Sequence, residues 1–303
     1  LTLTHLSTHS DLPLIDWPMV GALNTEESCA DYLFHLKWPS GFDCSSCGHR
    51  HAYIISTRRL PLFECAGCGH QTSLTAGTVM EGSRTPLTKW FNAIRLLSDT
   101  ERGISALALS RILSVTYKTA WSLLHKIRFA MGKVENGSPL SGQVILHDAS
   151  YARPPFYSSL AHHPKETPLL VGASLSAEGQ PSRVIIQVAD PGHLSDEGIS
   201  PAATTVFCRD HVAVDAQVVD CQVKRYAPRR GKKALPLVQQ ARDWLRNTFH
   251  GIGKKYLQVY LHEFCYRTNL RMASIPIFAD ISRICVKTAI QWVNRPKGRA
   301  PVK

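Results

Sequence analysis

Four of the nine cysteines in this chain are paired by spacing. Cys44-Ser-Ser-Cys47-Gly48 and Cys65-Ala-Gly-Cys68-Gly69 form two matching C-x-x-C-G knuckles. A tight turn lets both thiolates of a knuckle face one ion, and the glycine after each pair admits that turn. Two knuckles at this separation supply four thiolates in a tetrahedron, the donor set and geometry of a structural Zn²⁺ site. Four thiolates close the coordination sphere, so the expected role is folding and not hydrolysis. His49, His51 and His70 flank the knuckles and read as solvent-facing loop residues. Cys29, Cys208, Cys221, Cys265 and Cys285 are scattered and read as small packing residues.

A second chemistry is open to two carboxylates. Asp148 follows the apolar run Val144-Ile145-Leu146, and Asp210 follows Val206-Phe207-Cys208. If these runs are neighbouring strands, the two carboxylates meet and can hold Mg²⁺ for phosphoryl transfer. Spacing alone leaves the plainer reading open, because a strand-end Asp also serves as a turn former or helix cap.

The elements that must position these residues follow from periodicity. Ala52–Ile55 and Leu62–Cys65 are β-prone runs around a polar turn, and Gln71–Thr78 can add a third strand, which makes a ribbon. Helical spacing begins at Thr85. It predicts helices over Thr88–Ser98, Ser105–Leu113 and Tyr117–Met131, with Ser105 and Thr116 as caps. A short helix, a tight turn and a longer helix match a helix-turn-helix, with Tyr117, Lys118, Thr119, Lys126 and Arg128 facing DNA. A three-helix packing unit is the alternative. Asn136-Gly137-Ser138-Pro139 reads as a linker. Strands are expected at Val144–Leu146, Leu169–Val171, Val184–Val188 and Thr204–Cys208, and helix from about Pro236 to Met272.

Composition bounds the partners. The chain has 303 residues, 35 Lys and Arg against 23 Asp and Glu, and a net charge of +12. That excess points to a polyanion, with nucleic acid ahead of a membrane surface. Six of the cations are Lys224, Arg225, Arg229, Arg230, Lys232 and Lys233, and six more lie from Arg283 to Lys303. Either run is also what a solvated face looks like. No apolar run is long enough to span a bilayer, and Leu1–Ser10 lacks the pattern of a secretory signal, so a cytoplasmic setting is expected.

The order of these parts resembles the zinc-ribbon DDE-type transposases of bacterial insertion sequences, the ISXO-two-like (IS-fifteen-ninety-five) group. The marks are Trp38-Pro39, both knuckles, Gln71-Thr72-Ser73, Ala76-Gly77-Thr78 and Leu87-Thr88-Lys89-Trp90-Phe91. Further marks are Gly103-Ile104-Ser105-Ala106, Tyr117-Lys118-Thr119-Ala120-Trp121 and the run Tyr260 to Asn269.

The resemblance implies an α+β multi-domain chain. Its parts are an N-terminal lead (1–30), a zinc ribbon (31–80), a helix-turn-helix segment (85–135), a ribonuclease-H-like mixed α/β domain (140–275) and a basic tail (276–303). It implies neighbouring first and fourth strands that bring Asp148 and Asp210 together on catalytic Mg²⁺, with Arg242 at the basic position of the third motif. Cleavage and joining of DNA at the element's inverted repeats, by a homo-oligomer, is the activity it implies. The chain departs from the pattern at Ala149, at Ala152-Arg153-Pro154 in place of two glycines, and at Leu235, which stands where the third ligand belongs. Asp243, Asn247 and His250 lie nearby but out of step. A DNA-binding derivative without catalysis is the alternative these departures raise.

Overall fold

A computed structural model describes residues 23–57, 59–99, 103–152, 166–195, 198–223 and 234–290. Its chain contacts divide into two units, one within Pro18–Asn92 and from Ser282 on, the other within Ala93–Ile281.

The first unit opens with α1 (Glu26–Lys37), capped by the Thr25 hydroxyl, which accepts from the Ser28 amide at 3.1 Å. A three-stranded antiparallel ribbon follows, β1 (Ala52–Ile55), β2 (Leu62–Cys65) and β3 (Gln71–Ser73), in that spatial order. β3 ends at Ser73, short of the expected Thr78, because the chain turns there over a cation. Lys37 Nζ donates to the carbonyls of Ser73 (3.0 Å), Leu74 (3.2 Å) and Ala76 (2.6 Å), and burial lowers its pKa to about 8. Phe34, Trp38, Phe42 and Phe63 pack ring on ring beneath the ribbon at 5.0–5.9 Å. The Glu26 carboxylate accepts from the amides of Leu87 (3.1 Å) and Thr88 (2.9 Å), so an anion sits at the start of α2 (Leu87–Asp99).

In the second unit α3 (Ala106–Leu113) and α4 (Tyr117–Gly137) are joined at Ser114, whose φ of 51° makes the turn tight. Ser105 and Thr116 cap them as expected, accepting from the amides of Ala108 and Thr119. α4 runs six residues past Met131 and absorbs the Asn136-Gly137 pair that reads as a linker. Continuation is stabilised at Glu135, which is buried and accepts from Arg183 and from Asn269 at 3.2 and 3.0 Å.

A four-stranded sheet follows: β4 (Gln143–Ala152), β5 (Glu166–Leu175), β6 (Pro181–Val188) and, after the two-residue pair β7 (Leu194–Ser195) and β8 (Gly198–Ile199), β9 (Gln217–Gln222). Its order is β6-β5-β4-β9. The β4–β5 and β5–β6 pairs are antiparallel, whereas β4 and β9 are parallel. The three expected strands at Val144, Leu169 and Val184 lie inside β4, β5 and β6.

The fourth expectation fails. Residues 204–208 are helical, inside α5 (Pro201–His211). Ser200 caps this helix and Pro201 occupies its first turn, while Ala203 and Phe207, four apart, bury one stripe against the sheet. Those signals outweigh the strand preference of Thr204, Thr205 and Val206. The strand beside β4 is β9.

Each face of the sheet has its own core. Ile145, Val171 and Ile186 face Val238 and Leu245 of α6 (Leu235–Phe249) and Leu261 and Phe264 of α7 (Lys254–Met272). Leu146, Leu170 and Ile185 face Phe207 of α5. α6 and α7 part at His250, which adopts φ 56°. The C-terminal segment expected as a basic tail begins with α8 (Ile277–Lys287).

α7 also covers the free edge of β6. Asn269 accepts from the Val184 amide (2.8 Å) and donates to its carbonyl (3.0 Å), and Gln258 does the same for Val188 N (2.7 Å) and Ile186 O (3.1 Å). Between these amides lies Glu263, fully buried, which accepts from Arg128 Nε of α4 at 2.5 Å and pairs with Arg267 at 3.5 Å. Arg128 stacks on Tyr260 at 4.0 Å as well. Among the described residues no helix is long and apolar enough to cross a membrane.

Truncating one partner of such a buried pair strands the other charge. Glu263→Ala is expected to cost about 3–5 kcal/mol, read as a fall in the urea midpoint of unfolding.

Candidate metal centre and nucleic-acid interface

The two knuckles are built alike. Cys44 N bonds His49 O at 3.1 Å and Gly48 N bonds Cys44 O at 2.8 Å; Cys65 N bonds His70 O at 3.0 Å and Gly69 N bonds Cys65 O at 2.9 Å. Gly48 and Gly69 adopt φ of 70° and 71°, the left-handed turn an L side chain rarely takes. Ala66 N bonds His51 O at 3.0 Å and ties one knuckle to the other.

All four sulfurs lie within 4.8 Å of one another. Cys44 and Cys68 Sγ are 3.7 Å apart, and Cys47 and Cys65 Sγ are 3.6 Å apart. A tetrahedron with Zn–S legs of about 2.3 Å has edges of about 3.8 Å. Disulfides would need about 2.05 Å. The four cysteines are therefore positioned to bind a structural zinc.

The carboxylates are placed differently from expectation. Asp148 lies on β4 opposite Leu170. Asp210 lies near the end of α5, where it accepts from Arg209 at 2.7 Å, an interaction that lowers its carboxyl pKa. His211 O of the same helix end accepts from Leu140 N. Asp148 is eight residues beyond Leu140, roughly 25 Å of extended chain. Asp148 and Asp210 are thus far apart, because the segment expected as a strand is a helix that ends at the opposite end of β4.

The acid that does adjoin β4 is Asp220 of β9, opposite Ile145. Its Oδ2 is 3.6 Å from Nε2 of the fully buried His147. His147 alternates with Asp148 along β4. Leu146 and Val223 pack on the α5 side of the sheet and Ile145 on the α6–α7 side. Asp220 consequently shares a face with His147, and Asp148 points to the other. Its signal in the sequence is the short run Val218-Val219-Asp220, whose valines are half exposed at a sheet edge.

Among the described residues no trio of His, Cys, Asp or Glu ligand atoms comes together except the cysteine quartet. Among the described residues, Asp148 and Asp210 do not meet at one site. Arg242 donates through Nε to Ser150 O at 2.8 Å, two residues along β4 from Asp148, and so fastens α6 to the end of that strand. Asp243 pairs with Arg246 at 2.8 Å on the helix surface, and Asn247 and His250 are exposed.

Of the residues expected to face DNA, Tyr117 and Lys118 are exposed at the start of α4 and Thr119 is half-buried. Lys126 is half-buried. Arg128 is 1% exposed and held by Glu263, so it cannot reach a phosphate. Lys224, Arg225, Arg229, Arg230, Lys232 and Lys233 lie outside the described residues.

Residues 24–71 match a family described as a transposase zinc-ribbon domain. No curated protein and no solved structure matches the chain.

Atomic absorption is expected to find one zinc per chain, and none after Cys44→Ser combined with Cys65→Ser. Chelation should unfold the ribbon, seen as loss of amide protection at 52–55 and 62–65.

Proposed function

We propose that this chain is the transposase of an insertion sequence and that it binds the inverted repeats at the ends of its own element. The observation that carries the reading is the match of residues 24–71 to a transposase zinc ribbon, supported by four cysteines at zinc-binding distances. The net charge of +12 suits a DNA partner. The ribbon fixes one DNA-contacting surface, and the start of α4 offers a second through Tyr117 and Lys118. The sheet order β6-β5-β4-β9, with β4 and β9 parallel, is compatible with a ribonuclease-H-like core and supports reading this unit as the catalytic half. Asp148, on the central strand β4, is the carboxylate the reading assigns to phosphodiester cleavage. Copies of the chain acting on paired ends would be a homo-oligomer.

Three observations favour a second reading, binding without cleavage. Asp210 is remote from Asp148, Asp220 is on the other face of the sheet, and Leu235 stands where a third ligand is expected.

The two readings separate in one assay. Zinc-loaded protein is incubated with a supercoiled plasmid carrying the DNA that flanks the gene, with Mg²⁺ or Mn²⁺. The transposase reading expects nicking at the terminal repeats that Asp148→Asn reduces by at least 100-fold while binding is kept. Retained binding with no nicking in either ion establishes the second reading.

A further inference from the structure

α4 and α7 run parallel. Trp121 meets Tyr256, Arg128 meets Glu263 and Glu135 meets Asn269, so the contacts advance together along both helices. Their first turns therefore lie side by side. Tyr117, Trp121 and His125 fall four apart on α4, and Tyr256 and Tyr260 four apart on α7, so each helix carries a stripe of rings along the seam between them.

The rings touch across that seam. His125 stacks on Trp121 with centroids 3.8 Å apart and planes 35° from parallel. Tyr256 stands edge-on to both, 5.8 Å from Trp121 and 5.4 Å from His125. Burial and Arg128 push the His125 pKa down to about 4, so this ring is neutral at pH 7 and packs as an aromatic. Packing between the helices accounts for the inner rings, His125 and Tyr260. It does not account for the outer end, where Tyr117 is 57% exposed and Tyr256 37%.

Cations surround this outer end. Lys118, Lys254 and Lys255 are exposed, and Lys255 Nζ sits 5.2 Å from the centre of the Tyr256 ring. The chain has no Asp or Glu from Gly103 to Val134 or from Trp244 to His262, so neither helix brings an acid to its own first turns. The seam also adjoins the strand that carries Asp148. Ile252 N donates to the Tyr151 hydroxyl at 2.8 Å; Tyr256 is one turn beyond Ile252, and Tyr151 is three residues beyond Asp148 on β4.

We propose that the outer end of the α4–α7 seam is a stacking platform for unpaired bases of single-stranded DNA, with Tyr117, Trp121 and Tyr256 taking base faces and Lys118 and Lys255 the adjoining phosphates. A duplex hides its base faces, so wet rings flanked by cations suit an unpaired strand. Stacking also tolerates any base, whereas a duplex reader needs donors and acceptors aimed at base edges. That the strand is DNA rests on the DNA-binding reading above. RNA offers the same bases and phosphates and is the comparison in the test.

The full zinc-loaded chain is titrated by fluorescence anisotropy with a labelled single strand of about 12 nucleotides from the flanking repeats, with the matching RNA and with the duplex. Tyr117→Ala and Tyr256→Ala, both at exposed positions, should each weaken the single strand by about fivefold or more, and weaken the duplex less. Tyr256→Phe, which keeps the ring, should recover the lost affinity. Either alanine variant decides the matter where the other fails to fold. Unchanged single-strand affinity in the alanine variants, or a wild type that binds the duplex but not the single strand, overturns the platform and leaves the transposase reading standing. Equal losses on duplex and single strand make this a duplex-contacting surface and overturn the assignment to unpaired bases. RNA bound more tightly than DNA overturns the DNA source. Single-strand binding that the alanine variants lose, with no preference for the flanking duplex over other duplexes, sinks the transposase reading and upholds the platform.

Discussion

The second unit turns on one buried carboxylate. Glu263 takes Arg128 from α4 on one oxygen and faces Arg267 of its own helix with the other. Neither arginine is accessible to solvent, so α4 cannot leave α7 without exposing or stranding a charge. The amides of Asn269 and Gln258 then hold α7 along the edge of β6. In this way α4, whose N-terminal turn carries the exposed Tyr117 and Lys118, is fixed to the sheet that carries Asp148.

The first unit depends on a different interaction. Its strands are three or four residues long, and an isolated ribbon of that size is marginal in water. Four converging thiolates and one aromatic cluster replace an extended core. Glu26 at the start of α2 and Lys37 under the loop after β3 add charged groups that saturate backbone donors and acceptors. Zinc held by the four thiolates would stabilise such a unit.

What was legible in the sequence was local. Each knuckle is closed by hydrogen bonds within a few residues of its cysteines, so Cys-x-x-Cys-Gly announced the geometry directly. Ser105 and Thr116 likewise cap the helices that follow them. What was not legible depended on distant partners. Arg128 looks like Lys126 on a basic helix, and only Glu263, 135 residues later, removes it from the surface. Thr204 to Cys208 has the composition of a strand, but Ser200, Pro201 and the burial of Ala203 with Phe207 make it helical. Once it is a helix, Asp210 leaves the sheet. β9 gives no such signal, because an edge strand with exposed Val218 and Val219 has no buried alternation to read. The separation of Asp148 from Asp210 follows from these two segments together.

We propose that the chain, through its zinc ribbon, recognises the ends of its own element. The most direct measurement is hydroxyl-radical footprinting of the zinc-loaded chain on the DNA flanking its gene. Protection is expected to be confined to two inverted repeats and to be lost when zinc is removed. Uniform protection along the duplex, or the same footprint without zinc, would contradict it.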